Sequence, residues 1–392
     1  MTNVVILSGA RTAIGSFGGS LSKVSPIDMS TATIQASLKR AGVAGEQIGH
    51  VAIGHVINTE SRDAYLSRVA SINAGISDST PAMNVNRLCG SGLQAIVSIT
   101  QSLLLGDAHF GVAGGSESMS QAPYVLQNSR WGQKMGDTLA QDMLLAALQC
   151  PFGTGHMGVT AENVAQEHNI SRNSQDSFAL ESQRRAEIAI NSGYFEKQII
   201  PIEVKHKREN IEFKIDEHPK LSSLESLSNL KPAFQKDGSV TPGNASGLND
   251  GAGALVLATE EAANSAGLTP KARILGYAHA GVRPEVMGIG PVPAVHNLLK
   301  KTGLSISDFD VIESNEAFAS QALAVNKGLK LDPQKVNPNG GAIALGHPIG
   351  ATGAIIAIKA LYELERTNGS KALITMCIGG GQGIALAIER MS

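Results

Sequence analysis

The sequence is short of the residues on which several functional classes depend. It holds three cysteines in 392 residues. Cys89, Cys150 and Cys377 are odd in number and far apart, which argues against a disulfide framework and for a reducing compartment, so the cytoplasm is expected. Aromatic side chains make up 4%, too few for platforms on which nucleic-acid bases stack. Neither sign of charge dominates: 32 Lys and Arg against 34 Asp and Glu give a net charge of −2. A basic surface suited to nucleic acid or an anionic membrane is therefore not expected, and neither is a partner of either kind. No uninterrupted apolar run approaches the length of a membrane span. The opening, "MTNVVILSGARTAIG", has an apolar run only from Val4 to Leu7 and does not read as a leader.

What the sequence does contain is glycine, 43 residues of it, and 42% hydrophobic residues. The length implies two or three packed units. Short apolar runs ("NVVILSG", "HVAIGHVI", "HFGVAGG", "ALVLAT", "KALITMCIGGG") alternate with helix-period segments such as 26–41, the pattern of an α/β protein whose strands are buried on both faces. An internal echo runs through the chain. Asn84-Val85-Asn86 followed by "GSGLQAI" resembles Asn337-Pro338-Asn339 followed by "GATGAI", and "EQIGHVAIGHVI" resembles "ISDFDVIESNEA". Two halves of similar plan would set Cys89 and the His347 loop at equivalent strand-to-helix corners. Between about 120 and 248 polar residues rise and the alternation fades, which reads as a long insertion over a site. The dense charge of "EVKHKREN" at 203–210 suits a solvated hairpin tip or one side of a phosphate-binding rim.

Four clusters fall at predicted strand ends, where ligands of α/β sheets bind: "RLCGSG" (87–92), "ESNEAFAS" (313–320), "GGAIALGHPIGATG" (340–353) and "TMCIGGGQG" (375–383). Singly, each has a bland explanation: a small core cysteine, a turn histidine, a tight glycine crossing. Together they supply a cysteine nucleophile with a histidine base, a second cysteine beside bare backbone, and an orientable amide at Asn315. The spacings match neither a zinc site nor a phosphate-binding P-loop. A cysteine at a helix N-terminus beside a histidine is expected to have a lowered thiol pKa.

At this point the chain resembles the thiolases, the acetyl-CoA acetyltransferase family. The resemblance runs through "GARTAIGSFGG", "NRLCGSG", "GGSESMS", "HMGVTAENVA", "TPGNASGLNDGA", "SNEAFA", "GGAIALGHPIGATG" and "CIGGGQG". It implies a five-layered αβαβα core of two similar halves with an inserted loop domain: residues 1–120 plus 249–270, the loop domain 121–248 that binds CoA and makes oligomer contacts, and 271–392. It implies reversible Claisen condensation of two acetyl-CoA to acetoacetyl-CoA plus CoA through an acyl-cysteine, in a homo-oligomer (a dimer of dimers), with no metal and no cofactor. Cys89 would be the nucleophile, His347 its base, and Cys377 the acid/base at the α-carbon. Asn315 would act through a water in one oxyanion hole, while the backbone N–H groups of Cys89 and Gly379 form the other. Ser246 would meet the pantetheine arm of CoA, His156 and Met157 would line its end, and Ser226 would lie near the adenosine. Lys220 would stand where relatives often carry an arginine for the CoA phosphates. Cys150 matches no motif and reads as packing.

A degradative 3-ketoacyl-CoA thiolase of broader chain length is the alternative within this resemblance. A β-ketoacyl synthase would carry two active-site histidines where this chain has Asn315 and His347. A non-catalytic acyl-CoA-binding relative would be expected to lose Cys89, His347 or Cys377. Met157, Met287 and Phe318 are bulky at positions that surround the acyl group in relatives, and they imply a short, closed pocket.

Overall fold

A computed structural model describes residues 2–206 and 209–391. Nine principal strands and five principal helices make up its body. The strands are β1 (Val4–Thr12), β2 (His50–Gly54), β3 (Ala82–Val85), β4 (Phe110–Ser118), β5 (Asn249–Thr259), β6 (Ala272–Gly281), β7 (Val311–Ser314), β8 (Lys371–Ile378) and β9 (Gln382–Arg390). The helices are α1 (Pro26–Ala41), α2 (Ser91–Leu105), α3 (Pro291–Thr302), α4 (Ala319–Leu329) and α5 (Thr352–Thr367).

The first half is ordered β3-β2-β4-β5-β1 and the second β7-β8-β9-β6. β1 and β4 both run antiparallel to β5, while β2 runs parallel to β4 and to β3. The second half repeats this: β6 and β8 run antiparallel to β9, and β7 runs parallel to β8. A parallel bridge from Ile312 to Val336 stands where a fifth strand would lie. The echo in the sequence is thus a repeat in topology, with β7 as the counterpart of β2. The halves join where Val5 and Ile6 pair with Arg273 and Ala272.

Five layers result. Helix α1 covers the outer face of the first sheet, α2 and α5 lie together between the sheets, and α3 covers the outer face of the second. Local sequence explains the helix limits. Ser25 caps α1 by accepting from the Asp28 N–H at 3.0 Å, Pro26 occupies its first turn, and Gly42 ends it at φ 67°. β1, β4 and β5 are buried along their whole length, which is why they read as unbroken runs of apolar and small residues. The central helices meet at their N-termini through glycine. A Cβ on Gly92 would lie 2.7 Å from the Ala354 nitrogen, and one on Gly353 would lie 2.2 Å from the Leu93 nitrogen. Any side chain at either position would push the two helix starts apart, and with them the corners that carry Cys89 and His347.

Residues 88–105 reach a mean hydropathy of 1.4, long and apolar enough by composition to cross a membrane. Its apolar residues do not form an unbroken run, since Ser91, Gln94, Ser98 and Gln101 interrupt them. In this fold the segment is the inter-sheet helix, with Leu93, Ile96 and Ile99 fully buried. The insertion between β4 and β5 carries the helices Met157–Glu167 and Arg172–Asn191 and the hairpin Ile202–His206/Glu209–Phe213. The expected charged tip at 203–210 includes residues 207–208, which lie outside the described residues.

Candidate active site

Two strand-to-helix corners and one hairpin turn meet beside the starts of α2 and α5. Cys89 stands between β3 and α2. The residue before it, Leu88, sits at φ 47°, a left-handed conformation that costs a side-chain-bearing residue free energy and clusters at functional sites. The turn is fixed locally: the Gly90 and Ser91 N–H groups donate to the Arg87 and Leu88 carbonyls, each at 3.0 Å. Its partner across the seam, His347, is buried in the loop before α5. The His347 N–H donates to Asn249 Oδ1 at 2.9 Å, and the Asn249 amide donates to the Gly15 carbonyl at 3.0 Å.

The tautomer of His347 follows from its neighbours. Nδ1 lies 2.6 Å from Thr352 Oγ1, and that hydroxyl donates its single proton to the Pro348 carbonyl at 2.9 Å. Thr352 therefore accepts from the ring, Nδ1 carries the proton, and Nε2 keeps its lone pair. Burial holds the imidazole pKa down at about 4, so the ring is neutral at physiological pH. A neutral imidazole with a bare Nε2 is equipped to take a proton.

The thiols are not pre-ionised. Burial pushes the Cys89 thiol up, hydrogen bonds from the Gly379 and Cys89 N–H groups oppose it, and the Glu117 charge adds to the rise. The net direction is upward, which corrects the expected lowering at a helix N-terminus. Desolvation outweighs two N–H donors, so Cys89 rests as the thiol and needs a base. Cys377, fully buried in β8, is also raised, first by burial and then by the neighbouring Cys89. The Gly379 N–H that reaches Cys89 comes from the turn between β8 and β9.

Cys89 and His347 line a cavity of about 280 Å³ together with His156, Met157, Ser246, Met287 and Phe318. His156 accepts from the Gly158 N–H at 3.0 Å and stacks on Phe234 at 4.7 Å; Phe234 meets Phe318 edge-on at 6.2 Å. Cys377 packs in the same apolar cluster as Met157, Met287 and Phe318, and so does Cys150. Asn315 follows β7 and is 2% exposed, and neither polar atom of its side chain has a protein partner. It does not line the large cavity; with Thr352 and Pro348 it borders an adjacent space of about 10 Å³. A buried amide without a protein partner costs about 1–3 kcal/mol unless water or a ligand pairs with it.

Residues 4–261 match the family model "Thiolase, N-terminal domain" and residues 268–390 match "Thiolase, C-terminal domain". The chain belongs to the thiolase family. It is 56% identical over 390 residues to the beta-ketothiolase BktB of Cupriavidus necator, covering 99% of each chain. The crystal structure of the Bacillus anthracis acetyl-CoA acetyltransferase superposes at a TM-score of 0.97 with 46% identity, covering 100% of this chain and 99% of that one. Human mitochondrial 3-ketoacyl-CoA thiolase in complex with CoA superposes at 0.96 with 45% identity, covering 100% and 98%. The protein is thus a thiolase-fold acyltransferase, as the motifs implied.

Two residues expected beside CoA lie apart from the cavity. Lys220 is exposed, and its N–H donates to Gln183 Oε1 at 2.9 Å. Ser226 is exposed in the first turn of a short helix, where its N–H donates to the capping Ser223 Oγ at 3.1 Å. Conversely, Phe234, Leu148 and Met119 line the cavity without having been singled out in the sequence. Met119 stands in "GGSESMS", and Phe234 is one of 9 phenylalanines in an aromatic-poor chain; Leu148 had no signal. Thr352 could have been found from its place in "GHPIGATG". Among the described residues no group of three His, Cys, Asp or Glu side chains converges as a metal site would require.

Proposed function

We propose that this thiolase is an acetyl-CoA C-acetyltransferase, interconverting two acetyl-CoA with acetoacetyl-CoA and CoA. The observation that carries the reading is the convergence of the Cys89 thiol, the Gly379 N–H, Cys377 and a His347 ring whose bare Nε2 is left free by Thr352. In thiolysis, His347 Nε2 takes the Cys89 proton and the sulfur adds to the 3-keto carbonyl. The developing oxyanion is stabilised by the N–H groups of Cys89 and Gly379. The C2–C3 bond then breaks, and the departing acetyl-CoA enolate takes the Cys377 proton. Its thioester oxygen is held by His347 and by a water on Asn315. CoA-SH next attacks the acetyl-Cys89 thioester, its proton returning to the enzyme bases. Condensation is the reverse sequence. The thioester itself acidifies the α-carbon, so the scheme uses no metal and no cofactor.

Ser246, His156 and Met157 would meet the pantetheine arm, with Lys220 and Ser226 left to the distal phosphates and adenosine. Met157, Met287 and Phe318, all more than nine-tenths buried, would close the acyl end, each excluded methylene forfeiting about 0.8 kcal/mol of burial. A homotetramer in the cytoplasm is part of the proposal. Trp131, Met135 and Leu139 of the insertion are 89%, 90% and 88% exposed, apolar side chains that a partner copy would cover, and the three free cysteines suit a reducing compartment. Incubation with labelled acetyl-CoA followed by peptide mass analysis should place acetyl on the Cys89 peptide, and label on Cys377 would reverse the roles. Equal kcat/KM for 3-ketodecanoyl-CoA and acetoacetyl-CoA would replace the short-chain reading with the degradative, broader one.

A further inference from the structure

The "GGSESMS" motif places a glutamate one residue before the end of β4 that the scheme above does not use. Glu117 is fully buried, and every hydrogen bond it makes is accepted. Its Oε2 takes the Gly350 N–H at 2.9 Å and the Val56 N–H at 3.1 Å, while Oε1 takes the Ile57 N–H at 3.1 Å. Gly350 belongs to the second half, three residues beyond His347; Val56 and Ile57 belong to the first half, in the turn after β2. One carboxylate therefore ties the two halves together at the seam where the Cys89 and His347 corners meet. The fit is close: a Cβ on Gly350 would lie 2.4 Å from Oε2. Met119, two residues after Glu117, and Ile349, next to Gly350, form one apolar cluster with Ile57, against which Cys89 packs.

The ionisable groups facing Glu117 are few. His55 lies on one side, its Nδ1 donating to the Ser116 carbonyl at 2.9 Å and standing 3.5 Å from Oε1, with Asp63 behind it at 3.8 Å from Nε2. Cys89 lies near enough for the carboxylate charge to add to the rise of its thiol, and His347 stands three residues before Gly350. Burial pushes the Glu117 carboxyl up, while His55 and the three N–H groups pull it back. The net shift is upward, and the three N–H donors, which need an acceptor, are what favours the ionised form against that burial.

We propose that Glu117 is a positioning residue for acyl transfer: its carboxylate holds His347 in place relative to Cys89 by clamping the Gly350 loop to the 55–57 turn. This rests on the thiolase reading above and adds to it the carboxylate that fixes where base and nucleophile stand. Glu117→Gln keeps the shape but turns an N–H group toward an N–H donor and removes the charge. Turnover of acetoacetyl-CoA should fall about 10–100-fold with KM within about threefold. Alkylation of Cys89 by iodoacetamide, followed against pH, should shift its midpoint to lower pH by about half a unit or more, because a nearby negative charge has gone. A merely structural lesion would slow turnover without making the thiol more acidic. Glu117→Asp, which keeps the charge and shortens the reach, should lose turnover and hold the wild-type midpoint; it decides the matter if the glutamine variant does not fold. Wild-type turnover in either variant, or an unmoved midpoint in Glu117→Gln, overturns the proposal. Alkylation needs no acyl substrate, so wild-type enzyme inert toward acetoacetyl-CoA would defeat the thiolytic reading while the two midpoints still judged Glu117.

Discussion

Thr352→Val isolates what fixes the His347 tautomer. Valine matches threonine in shape and suits the first turn of α5 well enough for the helix to form. It removes the acceptor that His347 Nδ1 reaches at 2.6 Å. Thr352 is 2% exposed, so the orphaned N–H finds no bulk water and forfeits about 1–3 kcal/mol. The ring can escape that cost by moving its proton to Nε2, and the escape is what disables it, since Nε2 then carries a proton and cannot take one from Cys89. At 1.4 kcal/mol per decade the population of the working tautomer drops by between about five- and 150-fold. Steady-state thiolysis should show that loss in kcat with KM little changed, and alkylation of Cys89 near neutral pH should slow in parallel. Thr352→Ser restores the acceptor and should recover most of the rate. A valine variant within twofold of wild type in kcat/KM would mean that Thr352 does not set the proton position, and the assignment of His347 as base would lose its structural support.

Cys377→Ala should separate the half-reactions: labelled acetyl-CoA should still acylate Cys89, while condensation falls about 10²–10⁴-fold, and the opposite pattern would move the acid/base role elsewhere. The buried, neutral His347 also makes a pH statement. Its folded pKa of about 4 lies below the ordinary 6.5, so the unfolded chain binds the proton first. The stability it contributes is complete above pH 6.5, is lost as pH falls through 4, and amounts to about 3 kcal/mol. Urea unfolding at pH 7 and at pH 4 should therefore show a smaller acid loss in His347→Gln than in wild type, and equal losses would refute the sign or the size.

Much of this was legible because it is local. The limits of α1 are written in Ser25, Pro26 and Gly42, and the doubled plan is written in two Asn-x-Asn steps ahead of glycine-rich helix starts. The corners with Cys89 and His347 could be placed because strand ends in α/β sheets gather ligands. What the sequence did not disclose depends on convergence. The direction of the Cys89 pKa is set by how deeply the thiol is desolvated, which no neighbour in sequence reports. Phe234 reaches His156 from a stretch without a motif, and Lys220 and Ser226 read as ligand residues only by alignment with relatives. Asn315 was placed by its motif, but its unpaired amide emerged only once every nearby donor and acceptor had been located.

The position of β5 carries a consequence for how the chain is made. β5 is an inner strand, paired with β1 on one side and β4 on the other, yet residues 119–248 intervene between it and β4. On the ribosome β1 to β4 emerge first and lack the strand that joins them. At about 5–20 residues per second, the wait for β5 is roughly ten seconds. Throughout it β1 and β4 present unpaired edges, the features most prone to wrong pairing. The insertion therefore folds, or is held unfolded, while its host is still open, and the first sheet closes only as residue 259 clears the exit tunnel. Limited proteolysis of stalled nascent chains reads this directly: residues 4–118 should gain protection in chains carrying exposed β5 and stay cleavable in chains that end before it.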